Sequence, residues 1–412
     1  MAGSPPSRGA ESSAGAAPPA PPAGLSAAPV RVAQSHRIWL PQTETWLHTQ
    51  LRFLPPEIEA HVVCQQTRNL DQFAFPHIHA LGPVSRARLL WDAYGRRLLG
   101  RAYPAHVLRA TRTIRAEVLH SHFGPIGWAD LGVARRLGIP HVVTFYGVDV
   151  NRDPVKHPKW RRRYQALFAA ADRILCEGPH MAAAVVALGC PGDKVQVHHL
   201  GVDLVTLRYE PRRWRPGEPF RVLLAASFRE KKGFTYALHA LGLLQARVEL
   251  AITIIGDAGP DDDSRREKAR ILDAIAQHGL GPRVRLLGYQ PHEVLLREAY
   301  RHHVFLSPSV TASTGDTEGG APFAIAEMAA TGMPVVSTTH CDIPELFPAT
   351  ASTLLAPERD VEALRHALGR LVDEPEAWGA LTQASRHWME QQFDARVQGQ
   401  RLSRIYQEVR RP

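Results

Sequence analysis

Short apolar runs alternate with amphipathic stretches along most of the chain, and this alternation limits the fold more than any other feature. It occurs in two series, one from residue 30 to about residue 208 and one from about residue 220 onward. Short apolar runs separated by helical patterns are typical of parallel strands that helices cover on both faces. Two such series predict an α/β protein with two Rossmann-like domains, whose ligand cleft lies between them at the carboxyl ends of the strands.

The predicted strands share a run of apolar residues bounded by polar or turn-forming ones. In the first series they are residues 30–33, 61–64, 118–121, 141–144, 173–176 and 195–198. In the second series they are residues 221–225, 249–255, 284–287, 304–307 and 334–337.

The length of 412 residues exceeds what one hydrophobic core usually supports, which also favours two domains. A Pro- and Arg-rich segment, YEPRRWRPGE, predicts a linker over residues 209–219, between an N-terminal domain (30–208) and a C-terminal domain (220–385). We expect residues 386–412 to form helices that cross back to the first domain. Residues 1–29 are rich in Ala and Pro, so we expect a disordered tail and not a signal peptide.

The cysteine pattern and the hydropathy favour a cytoplasmic protein. Cys64, Cys176, Cys190 and Cys341 are scattered without a CxxC pair, which argues against disulfides and against a zinc site. No run of about 18 apolar residues occurs, so no transmembrane helix is expected.

Positive charge is concentrated in the first half of the chain. Residues 31–200 contain 22 Lys and Arg against 12 Asp and Glu, a net charge of +10, whereas residues 201–412 contain 26 against 27, a net charge of −1. This imbalance indicates an anionic partner for the first half, such as a membrane surface, a lipid diphosphate or an acidic glycan. A basic surface without a specific partner is the alternative.

The segment 317–346, TEGGAPFAIAEMAATGMPVVSTTHCDIPEL, combines a glycine turn with a helix start. Gly319 and Gly320 allow a ligand to approach the backbone, and the outward-pointing amides of the following helix form a phosphate site. Glu327 falls within that helix, where it can accept hydrogen bonds from ribose hydroxyls, and Glu318 lies at the mouth of the cleft. The residues alone leave open an ordinary strand–loop–helix crossover with surface acids.

This segment resembles the signature of the family-4 retaining glycosyltransferases, in which two glutamates flank a loop that contains Gly and Pro. It is particularly similar to the bacterial exopolysaccharide branch of colanic-acid type, and the resemblance extends from about Val30 to the end of the chain. The resemblance implies a GT-B fold in which Glu327 holds the ribose, the amides of Gly319 and Gly320 hold the diphosphate, and Glu318 approaches the donor sugar. This chain has one residue more between the glutamates than the family usually has, so the position of Glu318 is less well defined than that of Glu327.

A second match to the family is the segment 223–233, LLAASFREKKG, which closes a strand and opens a helix. The family places an arginine and a lysine here, because fixed cations stabilise the charge that develops on a leaving nucleoside diphosphate. Lys232 aligns with the lysine, whereas Ser227 stands at the arginine position, and we expect Arg229 to substitute for it. A solvated basic loop is the alternative.

Two further segments bear on the donor site. The segment 287–291, LGYQP, resembles the part of the family that reads the nucleobase, so Tyr289 and Gln290 are candidates for donor binding. The acidic triplet at 261–263 precedes a helix, and we interpret it as an N-terminal cap and not as a metal site. The resemblance implies transfer without a bound metal, and we expect no cofactor besides the nucleotide-sugar.

The first half is expected to bind the acceptor. Thr43 lies in PQTETW, which resembles the acceptor-side loop of the exopolysaccharide branch, although a helix cap is an equal alternative. His122 ends a predicted strand and is either an acceptor-binding or a structural histidine. Many relatives carry a histidine where this chain has Tyr146, which leaves a histidine-assisted step in doubt, and Asp149 is close to Tyr146. The segment 156–168, KHPKWRRRYQALF, is either a membrane-surface helix or an ordinary basic helix.

Together these features predict a cytoplasmic retaining glycosyltransferase, and the basic first half extends this expectation to peripheral attachment at the inner face of the plasma membrane. Its donor is expected to be a UDP- or GDP-linked sugar and its acceptor a glycan or a polyprenyl-diphosphate-linked glycan, with no nucleic-acid partner. Two alternatives remain open at this point: a nucleotide-sugar epimerase of the same fold, and a non-catalytic nucleotide-sugar-binding partner of a transferase.

Overall fold

Residues 28–41, 44–82 and 104–410 are described by the computed structural model, and they form two parallel β-sheets. The first sheet has seven strands in the order β3-β2-β1-β4-β5-β6-β7. Its strands are β1 (Val30–Trp39), β2 (Ile58–Thr67), β3 (Ile78–Ala80), β4 (Val118–His122), β5 (His141–Phe145), β6 (Arg173–Cys176) and β7 (Val195–Val197).

The second sheet has six parallel strands in the order β10-β9-β8-β11-β12-β13. Its strands are β8 (Phe220–Ala225), β9 (Leu250–Ile255), β10 (Val284–Leu286), β11 (Val304–Ser307), β12 (Val335–Thr338) and β13 (Leu355–Ala356). Two doubly wound parallel sheets in one chain confirm the predicted fold class of two Rossmann-like α/β domains.

Helices connect the strands and cover the sheets. In the first domain they are α1 (Thr45–Arg52), α2 (Ala105–Ile114), α3 (Gly124–Leu137), α4 (Asp153–Lys156), α5 (Lys159–Ala170) and α6 (Pro179–Ala187). The remaining helices are α7 (Phe234–Leu244), α8 (Asp262–Gln277), α9 (His292–Ala299), α10 (Phe323–Ala330), α11 (Val361–Asp373), α12 (Trp378–Gln392) and α13 (Ala395–Val409). Of the helices in the described ranges, none is long and apolar enough to cross a membrane.

Each central strand is buried on both faces, which explains why the strands are nearly continuous apolar runs. In β8, Val222 and Leu224 join the core on one side of the second sheet, and Leu223 between them joins the core on the other side. Successive side chains of a strand point to opposite faces, so both faces need apolar residues when helices cover both.

Helix α13 lies against the first sheet, although it follows the second domain in the chain. Its residues Leu402, Ile405 and Tyr406 are buried together with Val30 and Val118. The preceding helix α12 still packs on the second domain, through Trp378 and Met389. The chain therefore crosses between α12 and α13, and the boundary expected at residue 385 falls inside α12.

The two expected connecting segments differ in what the structure describes. The linker 209–219 contains no helix or strand, and the guanidinium of Arg212 fixes it to the second domain by donating hydrogen bonds to the carbonyl oxygens of Ala299 and Thr331, both at 3.1 Å. Of the expected tail, residues 1–27 lie outside the described residues.

Candidate functional site

Loops at the carboxyl ends of the strands bring the two domains into contact. The side-chain amide of Asn151, after β5, donates a 2.6 Å hydrogen bond to the Thr317 hydroxyl, after β11. The Asp342 carboxylate, after β12, accepts hydrogen bonds from the His180 and Met181 amides at the start of α6, at 2.7 and 3.2 Å. Asp342 thus caps a helix of the opposite domain, and the contact closes one side of a cleft.

A cavity of about 220 Å³ opens in this cleft. Its lining comes from loops at the carboxyl ends of β8, β9 and β11, from the loop before α9, from the starts of α9 and α10, and from α1 of the first domain. The lining residues are Thr45, Trp46, Ala225, Ala226, Ser227, Lys232, Ile255, Gly256, Tyr289, Gln290, His292, Leu295, Ser307, Pro322, Phe323, Ala324 and Glu327.

Glu318 and Lys232 form an ion pair beside this cavity. The Lys232 Nζ donates to the Glu318 Oε2 at 2.8 Å, and the Ser309 hydroxyl donates to the other carboxylate oxygen at 2.9 Å. The Lys231 Nζ lies 3.9 Å from Glu318 Oε2. Burial alone would raise the pKa of Glu318, but the two lysines and the hydrogen bonds outweigh it and lower the pKa to about 2. Glu318 is therefore a fixed carboxylate and is not suited to act as a proton donor near pH 7.

Glu327 lies in α10 and lines the same cavity as Lys232. Its side chain is 8% exposed, and the His292 Nε2 at the start of α9 lies 2.7 Å from its Oε1. Burial alone would lower the pKa of His292, but the Glu327 carboxylate raises it above its ordinary value. The pair presents one carboxylate and one imidazole to a ligand, which suits neighbouring hydroxyl groups.

Gly319 and Gly320 belong to the loop between β11 and α10, residues 308–322, which we call the donor loop, and they lie where the two domains meet. Gly319 has a φ of +81°, and a Cβ built on it would come within 2.2 Å of the Gly147 Cα. A Cβ on Gly320 would come within 2.1 Å of the Glu177 carboxylate. Side chains at either position would push the domains apart. The cavity itself is lined by Pro322 and Phe323, where α10 begins without a side-chain cap.

Arg229 does not line this cavity. Its guanidinium forms an ion pair with the Asp261 carboxylate, with an N–O distance of 2.9 Å. Asp261 also accepts a hydrogen bond from the Ser264 amide, which confirms the prediction that it caps a helix, α8. Ser227 is the residue that lines the cavity near Lys232. The Arg229 guanidinium is therefore paired with the helix cap Asp261 and does not line the cavity together with Lys232.

The candidate base-binding residues Tyr289 and Gln290 both line the cavity. Tyr289 has a side chain with 49% exposure. The Gln290 side-chain amide donates to the Leu287 carbonyl at 2.6 Å and shapes the loop that follows β10.

The candidate acceptor residues of the first domain are mostly buried. The His122 Nδ1 lies 2.7 Å from the Tyr146 hydroxyl, and its Nε2 lies 3.0 Å from the Gln34 Oε1. Burial and the neighbouring histidines lower the pKa of His122 well below its ordinary value, so the ring is neutral. The Asp149 carboxylate accepts hydrogen bonds from the Gly124 amide at the start of α3 and from the Tyr146 amide, at 2.8 and 3.1 Å. Burial raises the pKa of Asp149 to about 6.

His122, Tyr146 and Asp149 are therefore buried below the surface of the cleft, and they do not line the cavity. The Tyr146 ring packs on Trp46, with ring centroids 4.3 Å apart, and Trp46 is the aromatic residue that lines the cavity on this side. Thr43 lies outside the described residues, and its neighbour Thr45 lines the cavity.

Four residues that complete the site are not predicted from the sequence: His292, Ser309, Lys231 and Trp46. Lys231 donates to the Thr317 carbonyl at 2.7 Å and steadies the donor loop. Trp46 is the last residue of PQTETW, the segment that resembles the acceptor-side loop, and its place in that segment was an available signal. His292 and Ser309 carry no local signal, because their partners are 35 and 9 residues away in the chain.

Comparisons with known proteins agree with this geometry. Residues 43–206 match the family model described as Glycosyltransferase Family 4, and residues 219–374 match the model described as Glycosyl transferases group 1. A putative colanic acid biosynthesis glycosyltransferase, WcaL of Escherichia coli, is 34% identical over 303 residues, which cover 71% of each chain. The amylovoran biosynthesis glycosyltransferase AmsK of Erwinia amylovora is 31% identical over 312 residues, covering 74% of each chain.

Solved structures show the same fold at low identity. HepE of Anabaena, solved in complex with UDP and glucose, superimposes with a TM-score of 0.71 at 14% identity, covering 92% of this chain and 100% of that chain. The sucrose-phosphate synthase of Thermosynechococcus elongatus gives a TM-score of 0.68 at 16% identity, covering 92% and 99%. With its two parallel-sheet domains and relatives above 30% identity over more than two thirds of their length, this chain belongs to the family-4 glycosyltransferases of GT-B fold.

Proposed function

We propose that this glycosyltransferase transfers a sugar from a UDP- or GDP-linked donor to a glycan or polyprenyl-diphosphate-linked acceptor, with retention of the anomeric configuration. The observation that carries the proposal is one cavity that joins a fixed cation, Lys232, to a carboxylate–imidazole pair, Glu327 and His292, with an aromatic wall, Trp46, from the other domain. A nucleotide-sugar has the matching groups, since it carries a ribose diol, a diphosphate and a sugar. The relatives named for colanic acid and amylovoran biosynthesis support a role in exopolysaccharide or cell-surface polysaccharide synthesis.

In the proposed complex, Glu327 and His292 hold the ribose hydroxyls. The start of α10, at Pro322 and Phe323, and the Lys232 ammonium hold the diphosphate. Tyr289 lies at the open side of the cavity, where a nucleobase stacks on its half-exposed ring. Each role needs a different chemical group, and the cavity supplies each of them.

The proposed reaction breaks the bond between the anomeric carbon and the diphosphate oxygen and forms a bond from the same carbon to the acceptor oxygen. The leaving phosphate oxygen takes the acceptor proton on the face that it leaves, so no protein base is required there. Lys232 stabilises the negative charge that develops on the diphosphate. Glu318 is held as a carboxylate by Lys232 and Lys231, and it orients Lys232 while it faces the donor sugar.

The test is the stereochemistry and the acceptor dependence of turnover. An α-linked UDP-glucose or UDP-galactose donor should give an α-linked product, read from the anomeric proton coupling in NMR. A β-linked product would refute the proposed same-face transfer. Conversion of the donor sugar to an epimer without acceptor would favour an epimerase, and donor binding with no turnover in an acceptor screen would favour a non-catalytic partner.

We propose further that the first domain holds the enzyme at an anionic membrane surface by charge alone. In α5 and just before it, Lys156, Lys159, Arg161 and Arg162 are exposed. Of the aromatic residues in the same segment, Tyr164 and Phe168 are buried in the domain core, and Trp160 is partly buried against it with the Arg163 guanidinium over its ring. This arrangement supports reversible electrostatic attachment and not insertion of an amphipathic helix.

A further inference from the structure

A cluster of imidazole and carboxylate groups lies at the edge of the first sheet, away from the donor cleft. Glu59 and His61 belong to β2, and His77 immediately precedes β3, the edge strand of the sheet. The Val62 amide donates to the His77 carbonyl at 2.8 Å, and Val63 pairs with His79. This register places the two histidines of the β3 segment on the same face as Glu59 and His61, because side chains alternate along a strand.

The candidate ligand atoms of Glu59, His61 and His77 are as close to one another as the ligand atoms of a single metal ion. The His61 Nε2 lies 3.0 Å and the His77 Nε2 lies 3.9 Å from the Glu59 Oε1. All three donor atoms lie within 4.8 Å of one another. Tetrahedral zinc with bonds of about 2.0–2.1 Å places its ligand atoms about 3.3 Å apart, which falls between the two measured separations.

We propose that Glu59, His61 and His77 bind a divalent transition-metal ion of the zinc class. Two imidazole nitrogens and one carboxylate oxygen are ligands that suit zinc and cobalt, and they leave a fourth position for water. His79 is an outer partner, since its Nε2 lies 3.2 Å from the His61 Nδ1 and fixes the ring so that Nε2 points at Glu59. Such an outer contact orients a ligand histidine.

An ion can reach this cluster from solvent. The side chains of His77 and Glu59 are 46% and 34% exposed, and both residues line a surface cavity of about 580 Å³. His61 is the buried member, with 11% of its side chain exposed. A half-open site with one buried anchor is able to exchange its ion with solvent.

The position of the cluster indicates a structural role. Glu59 and His61 lie near the amino end of β2, whereas the donor cleft lies at the carboxyl ends of the strands. The ion would join β2 to the end of the connection between β2 and β3. That connection includes Phe73 and Phe75, which pack on His48 and Trp39 with ring centroids 5.5 and 5.6 Å apart. The bound ion therefore stabilises the first domain and takes no part in sugar transfer.

The experiment uses the full chain without a histidine tag, stripped of metal and titrated with Zn²⁺ and with Co²⁺. We expect one equivalent to bind, with the visible absorption of a tetrahedral Co²⁺ site, and a higher Tm in the metal-bound protein. His77→Ala, at a half-exposed position, should lower the affinity at least about 100-fold, and His79→Ala should lower it about 10- to 100-fold.

The matched control is His387→Ala, because His387 is an exposed histidine 3.9 Å from a carboxylate, Glu390, in α12. This variant should bind Zn²⁺ like the parent. Glu59→Gln tests the carboxylate while keeping its shape, and circular dichroism verifies that each variant is folded. Absence of saturable binding in the parent, or equal affinity in the parent, His77→Ala and Glu59→Gln, would overturn the proposal. Donor turnover is measured separately, so this result is independent of the proposed transferase function.

Discussion

The ion pair between Lys232 and Glu318 allows a quantitative test of the donor site. Their charged atoms are 2.8 Å apart, and 18% and 7% of the two side chains are exposed. Lys232→Met removes the charge and keeps most of the volume, and Glu318→Gln removes the partner charge. Both single variants and the double variant form a double-mutant cycle, which isolates the interaction between the two residues.

The size of the interaction follows from the pKa of Glu318, which lies at about 2 against an ordinary value of 4.5. One pKa unit corresponds to about 1.4 kcal/mol, so the surroundings stabilise the carboxylate by roughly 3 kcal/mol despite its burial. Lys232 is closer to the carboxylate than Lys231, so we expect Lys232 to contribute the larger share of this stabilisation. Because the folded pKa is lowered, this stabilisation is complete above the unfolded pKa and is lost as the pH falls toward 2. Measurements at pH 7 therefore report the full stabilisation of the Glu318 carboxylate.

The assay is urea unfolding of the full chain, followed by tryptophan fluorescence, combined with initial rates of transfer. Lys232→Met should unfold at lower urea than the parent, and its kcat/KM should fall at least about tenfold. Lys268→Met is the control, since Lys268 forms a pair at 2.7 Å with Asp257 at an exposed position, where ion pairs contribute about 0–1 kcal/mol. A coupling below about 0.5 kcal/mol together with a parental rate for Lys232→Met would refute the reasoning.

Three further predictions concern the donor, the metal requirement and the membrane. Glu327→Gln should weaken binding of the donor nucleotide at least about tenfold by calorimetry, whereas Glu298→Gln, a buried glutamate that pairs with Arg285 outside the cavity, should leave the affinity unchanged. Chelation with EDTA should leave transfer rates unchanged, because Lys232 supplies the charge at the diphosphate; loss of activity that Mg²⁺ or Mn²⁺ restores would contradict this. The enzyme should co-sediment with anionic vesicles at low salt and dissociate as salt screens the exposed cations, and no co-sedimentation at low salt would indicate a soluble acceptor.

The parts of the fold that the sequence predicts are those in which local pattern and burial agree. The strands β6 and β11 have the predicted bounds, because all but their outermost residues are buried and apolar. The prediction of β1 ended six residues early, at Ala33, because the polar residues Gln34, Ser35 and His36 follow. Those residues are buried, and the Gln34 amide donates to the Tyr406 hydroxyl at 2.9 Å. A local sequence pattern cannot show a hydrogen-bond partner that lies 372 residues away in the chain.

The candidate site also depends on contacts between distant residues that a local sequence pattern does not contain. Glu318, Glu327 and Lys232 were predicted from short segments, and each lies at or beside the cavity. Arg229 was expected to join them, but it pairs with Asp261, which the sequence had shown only as a helix cap. His122 is open between acceptor binding and structure from the sequence, and in the structure it is fully buried between Tyr146 and Gln34 and does not line the cavity.

A metal cluster was not predicted, because Glu59 and His61 are separated from His77 by an irregular connection and match no ligand spacing. Only the parallel pairing of β2 with β3, a strand of three residues, brings them together. A short edge strand is weakly marked in sequence, since few of its residues are buried. The absence of a metal from the donor cleft stays a prediction, whereas at the edge of the first sheet we propose a metal site against the expectation of no zinc site.

Gly319 and Gly320 have a structural role that the family resemblance alone does not imply. They were expected to let a ligand approach the backbone, yet Gly319 faces the backbone of Gly147 in the other domain, and Gly320 faces Glu177. Gly147, with a φ of +106°, is itself in a conformation that other residues rarely adopt. The residues next to this contact are Glu318, which pairs with Lys232, and Pro322, the N-cap of α10. The first domain therefore helps to fix the loop that carries the ion-pair partner of Lys232, the residue that we propose stabilises the leaving diphosphate.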